Sequence, residues 1–168
     1  LATVETEIRG YFAGGEGTGQ VSGTHNKNIT IKGFANNSES LTFGELSVQA
    51  KRGAGVGSYP RGVFICGGIA DSPEAFSNTI EFITLTTSGE STDFGDATSN
   101  TGAINNNSAS NTIRGVYHNA RTADGGAEKN ILEFITIATT GNATDFGDLN
   151  YSSRDGCGLS DSHGGLPL

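Results

Sequence analysis

Apolar and polar residues alternate along this chain in short runs. In Asn78-Thr79-Ile80-Glu81-Phe82-Ile83-Thr84-Leu85 and Asn130-Ile131-Leu132-Glu133-Phe134-Ile135-Thr136-Ile137 the period is two. That period predicts a β-strand with Ile80, Phe82 and Thr84 on one side and Glu81, Ile83 and Leu85 on the other. Apolar groups on both faces predict a strand sandwiched between neighbouring layers. A second strand is predicted where Arg-Gly precedes aromatic and aliphatic residues, and a third around each Phe-Gly. A fourth, short strand is predicted in the glycine-rich stretch before the next Arg-Gly, as in Gly53-Ala54-Gly55-Val56-Gly57. Turns are expected at Ser88-Gly89 and Gly141-Asn142. No segment holds a helical period, so the expected class is all-β.

These runs repeat at about fifty residues, a period typical of stacked or radial repeat architectures. Arg9-Gly10-Tyr11-Phe12, Arg61-Gly62-Val63-Phe64 and Arg114-Gly115-Val116-Tyr117 form one set of anchors. Phe43-Gly44-Glu45, Phe94-Gly95-Asp96 and Phe146-Gly147-Asp148 form another, and an Asn at 28, 78 or 130 opens the strand between them. The repeat divides the chain into 8–59, 60–112 and 113–149, with 150–168 as an extra strand that closes or caps the array. The first copy lacks a leading strand and the C-terminal segment carries a spare one. A four-stranded unit of this size exposes an apolar face on each side and must stack on its neighbours.

The order of apolar strand, Gly-Gly, variable loop, apolar strand, turn and aromatic anchor resembles kelch repeats. Phe43, Phe94 and Phe146 stand at the position that family gives to Trp, and Asn119-Ala120 replaces Gly-Gly in the third copy. The resemblance implies three repeated four-stranded blade-like units forming a partial or oligomer-completed β-propeller. The phrase running from Ile131 to Leu149 also resembles tandem units of virion-associated proteins of tailed phages, those of marine cyanobacteria above all. The closing Ser160-Asp161-Ser162-His163-Gly164-Gly165-Leu166 is similar to the end of such proteins. That likeness covers roughly residues 8–166 and implies a particle component such as a fibre, appendage or surface protein.

Composition narrows the picture. The 168 residues include 26 glycines and only 34% hydrophobic residues, which suits short strands and tight turns. The net charge of −8 argues against nucleic acid as a partner, because no basic stripe is available to meet phosphates. No apolar run reaches the length of a membrane span, so membrane insertion is not expected. The chain has no Met and begins at Leu1, which leads us to expect a processed product or a piece of a longer chain. Cys66 and Cys157 occupy non-equivalent places in the repeat and show no metal-ligand spacing.

Candidate chemistry is thin. Asp93-Phe94-Gly95 spells the metal-binding triplet of protein kinases, but it recurs with the repeat and lacks that family's partner loops, so the Gly is read as a bend and the Phe as packing. Glycine clusters at 14–19 and 53–57 lack the following helix and Lys of a phosphate loop. Asp93, Asp96, Asp145 and Asp148 flank the Phe-Gly bends and are the candidate Ca²⁺ ligands, although no metal and no cofactor is expected. Arg9, Arg61 and Arg114 are expected to bond carbonyls or acids of an adjacent unit. The loops at 16–27, 69–77 and 118–129 differ between copies and are the candidate ligand surface, with Glu16, Asp71 and Asp124 in them. The expectation is a non-enzymatic structural or appendage protein of a phage virion, found in the virion or outside cells. It would assemble with copies of itself and other virion proteins and contribute to host-surface attachment, with a cell-surface glycan as candidate ligand. The competing expectation is a carbohydrate-binding, lectin-like propeller module.

Overall fold

A computed structural model describes residues 9–16, 25–35, 37, 39–71, 74–101, 107–121 and 127–160. Every regular element in it is a strand, and every strand pairing is antiparallel. Three sheets follow one another along the chain. The first holds β1 (Arg9–Ala13), β2 (Asn28–Gly33) and β3 (Leu41–Glu45) in that order. The second is built on β4 (Ala54–Ser58), β5 (Arg61–Ile65), β7 (Glu74–Thr84) and β8 (Thr92–Thr101), and β6 (Gly68–Asp71) adds a hairpin to the start of β7. The third runs β9 (Ser108–Ser110), β10 (Arg114–Asn119), β11 (Lys129–Thr136), β12 (Thr144–Ser153). The sheets therefore hold three, five and four strands among the described residues. Hydrogen bonding places each glycine- or serine-rich strand with the Arg-Gly strand that follows it, so the sheets are offset from the sequence period.

The three sheets share one pairing register between their Arg-Gly strand and the next. Arg9 pairs with Gly33, Arg61 with Thr84 and Arg114 with Thr136. Counting from those pairs, Thr30, Glu81 and Glu133 are equivalent. The Asn anchor slips by one in the first copy, because Asn28 faces Glu45 whereas Thr79 faces Asp96. In each sheet the register shifts at the Phe of Phe-Gly: Ile29 pairs Gly44 and Thr30 pairs Thr42, with the same step at Ile80/Glu81 and Leu132/Glu133. The Phe is the extra residue of a β-bulge, which twists the strand and turns that side chain out of the pleat. Gly95 and Gly147 take φ of 144° and 119°, where a side chain would be strained.

Two cores lie between the sheets. Ile29, Phe43, Leu46 and Ala50 meet Cys66 and Ile83, with Phe64 and Leu85 packed beside them. Val63, Ile65, Ile80 and Phe94 meet Tyr117, Ile135 and Ile137. The middle sheet thus buries Ile83 and Leu85 against the first sheet and Ile80 and Phe82 against the third, as the alternation along β7 predicts. Cys66 and Cys157 are both free thiols, the first buried and the second exposed.

Candidate functional site: the seams between sheets

Each seam is closed by one set of contacts. The tight turns close at Thr84–Thr87 and Thr136–Thr139, a few residues before the glycines where sequence patterns place them. This frees Gly89 and Gly141 to reach the preceding sheet. Gly89 N–H donates to the Phe43 carbonyl at 3.0 Å and Ser91 N–H to that of Glu45 at 2.9 Å. Gly141 and Ala143 do the same to Phe94 and Asp96, at 2.7 and 2.8 Å. The approach is so close that a Cβ on Gly44 would collide with the Gly89 carbonyl, and one on Gly95 with Gly141. Gly95 therefore serves two needs, a positive-φ bulge and backbone-to-backbone contact across the seam, whereas Gly44 serves the contact alone.

A buried glutamate anchors each seam. Glu81 is 1% exposed and accepts from Ser47 N–H at 3.1 Å, from the Ser47 hydroxyl, and from Ser91 Oγ at 2.6 Å. Glu133 is fully buried and accepts from Thr98 N–H at 3.3 Å, from the Thr98 and Tyr117 hydroxyls, and from Asn119 Nδ2 at 2.9 Å. A carboxylate in a core is tolerated only with such a donor set. Burial, then the nearby Glu133, holds the Tyr117 phenol far above its ordinary range. Burial, reinforced by Glu81, pushes the Cys66 thiol up to about 12. The repeat pattern alone assigns Glu81 and Glu133 no role. The signal was present: an acid inside a strand apolar on both faces, and a hydroxyl four residues after Phe43 and Phe94.

Arg61 spans the second seam. Its Nη1 donates to the Ile137 carbonyl of the third sheet at 3.0 Å, and its guanidinium lies 4.3 Å from the Phe82 ring centroid. In the first seam Tyr11 Oη takes the corresponding place, donating to the Leu85 carbonyl at 2.6 Å. Arg114 stacks 4.7 Å over Phe134 at the outer face of the third sheet. Phe43 and Phe94 are buried in the seams, whereas Phe146 is 49% exposed on that same outer face.

The remaining candidates do not converge. Asp93, Asp96, Asp145 and Asp148 are exposed, and among the described residues no three His, Cys, Asp or Glu side chains gather as a metal site would. Glu16 is exposed at a groove of about 600 Å³ beside β1, which Tyr11, Ala13, Ala54 and Ile65 also line. Asp71 ends β6 in a hairpin, and Asp124 lies outside the described residues. His118 is buried, bridging Asn107 through Nδ1 and the Lys129 carbonyl through Nε2, each at 2.9 Å, which suits a structural role. The class these features define is an all-β protein of stacked, repeated antiparallel sheets. No protein-family model matches the chain, and no curated protein matches it.

Proposed function

We propose that this chain is a non-enzymatic structural component of a tailed-phage particle, part of an appendage or surface layer, whose loops contribute to host attachment. Its sheets act as kelch-like blades of a propeller left incomplete within one chain and completed by assembly. The observation that carries the reading is the recurring seam: the same bulge, glycine contact and buried glutamate lock sheet to sheet. In such an array each layer covers the apolar face of the next, and the neighbour interfaces add to the stability of each unit. The likeness of residues 131–149 to tandem virion units supports the phage setting. Immunogold labelling of purified particles with antibody to this chain tests it. Discrete label on tails or fibres is the expected result, and bare particles would refute the reading.

A second reading, a carbohydrate-binding module, rests on Tyr59. Its ring is 78% exposed beside a groove of about 240 Å³ between the second and third sheets. Ser58, Arg61 and Thr112 line the same groove and supply polar groups beside an aromatic face suited to stacking on a sugar. A glycan array separates the readings. A signal that Tyr59→Ala abolishes favours the lectin, and a blank array favours the structural protein.

A further inference from the structure

The outer face of the third sheet repeats, unfilled among the described residues, the surface onto which the second and third sheets dock. Phe146 there corresponds to Phe43 and Phe94, which are 7% and 2% exposed. Gly147 corresponds to Gly44 and Gly95, yet a Cβ on it would meet nothing within 4 Å. The opposite end of the array carries the reciprocal surface. Phe12 and Phe34 cluster over Gly10 on the first sheet and are 58% and 68% exposed. Their counterparts by strand register, Phe64 and Leu85, are the residues the second sheet packs onto the first.

Strand count points the same way. β4 pairs β5 and β9 pairs β10, but among the described residues β1 pairs only β2. The groove beside β1 lies where a strand equivalent to β4 would run. Gly156-Cys157-Gly158-Leu159-Ser160 has the pattern of the β4 segment Gly53-Ala54-Gly55-Val56-Gly57, in which Ala54 and Val56 are buried. Residues 156–160 are not in a strand, and Leu159 is 88% exposed. They already lie against β9: a Cβ on Gly158 would collide with the Ser108 backbone. β9 lies against β4 in the same way, with Ser108 Oγ donating to the Gly55 carbonyl at 3.0 Å.

Polar residues at the two ends differ in kind from those inside the seams. Inside the chain, Glu81 is matched by Ser47 and Glu133 by Thr98. At the open ends the glutamate position holds Thr30, and the position four residues after Phe146 holds Asn150. A hydroxyl and a carboxamide satisfy each other without a buried charge.

We propose that two copies of this chain join head to tail, with the third sheet of one copy stacking on the first sheet of the other, and with residues 156–160 of the first copy pairing as a strand with β1 of the second. The inference uses the open array described above but is independent of a place in a phage. By the β4–β5 register, in which Ala54 faces Ile65, Cys157 falls opposite Ala13 of the second copy. Antiparallel partners stand at a Cα separation of about 5 Å, within reach of a disulfide.

The experiment is oxidation of the Ala13→Cys chain, followed by non-reducing denaturing electrophoresis. A species of twice the 17.3 kDa chain mass, lost in Ala13→Cys/Cys157→Ser, is expected. Light scattering on the unaltered chain, which needs no variant to fold, should show assemblies of at least two copies. Phe146→Asp, at a position half-exposed in the protomer, should return the mass to one copy with the β-sheet circular dichroism intact. A monomer at high concentration overturns both the pairing and the assembly-completed array. Assembly without the doubled, Cys157-dependent band overturns the strand exchange alone.

Discussion

Thr-Asp-Phe-Gly-Asp occurs twice in this chain, at 92–96 and at 144–148, in two environments. In β8 the phrase is roofed by the third sheet: Phe94 is 2% exposed, Gly95 touches Gly141, and two carbonyls accept hydrogen bonds from Gly141 and Ala143, which follow the next turn. In β12 the phrase makes the same bulge and the same edge-to-face ring contact, Phe146 on Phe134 in place of Phe94 on Phe82, yet Phe146 is 49% exposed. The local sequence thus sets the bulge and the ring's direction, and the neighbouring layer sets what the phrase contributes to stability.

Paired substitutions test that difference, each measured by urea denaturation of the chain. Phe94→Ala should cost about 4 kcal/mol through lost burial and a cavity, and Phe146→Ala less than about 1 kcal/mol. Equal losses would mean that the seam contributes little beyond the sheet itself. Gly95→Ala should cost about 3 kcal/mol, combining backbone strain with a clash across the seam, against about 1 to 2 kcal/mol of strain alone for Gly147→Ala. Arg61→Ala loses an inter-sheet hydrogen bond and a ring contact, about 1.5 kcal/mol, whereas Arg114→Ala loses only the ring contact, about 0.5 kcal/mol.

A smaller effect separates the seams from the open face by pH. Tyr117 and Cys66 both have pKa values raised by burial in the folded state. The unfolded chain releases these protons near pH 10 and pH 9, the ordinary values, while the folded chain retains them. Their contribution is therefore complete below pH 9 and declines as pH rises through the unfolded values toward the folded ones. Denaturation midpoints should fall between neutral pH and about pH 11, and the fall should be shallower in Tyr117→Phe. An unchanged slope in that variant would mean that Tyr117 ionises as readily in the seam as in the unfolded chain.

Much of the architecture was legible in the order of residues. Alternation along 78–85 located a strand buried on both sides and assigned Ile80 and Ile83 to opposite faces, because a pleat leaves no other choice. The anchors recur once in each of three sheets, although β4 and β9 pair forward across the expected bounds at 59/60 and 112/113, and the glycine-rich run before Arg61 marked β4. The turns were misplaced because Gly89 and Gly141 look like turn residues. Their use lies across the seam, and local sequence carries no record of a partner about forty-five residues away. The β6 hairpin went unread because Gly68–Asp71 has the composition of a loop.

The sequence by itself determined the strand pattern, the repeat and the Phe-Gly bulge, all of which arise from steric and apolar preferences within a few residues. Only the tertiary structure decided which Phe is buried, which glycine needs its missing side chain, and that Glu81 and Glu133 find donors on the preceding sheet. Those outcomes depend on what lies on the far side of a seam, and two identical pentapeptides cannot differ until one of them has a neighbour.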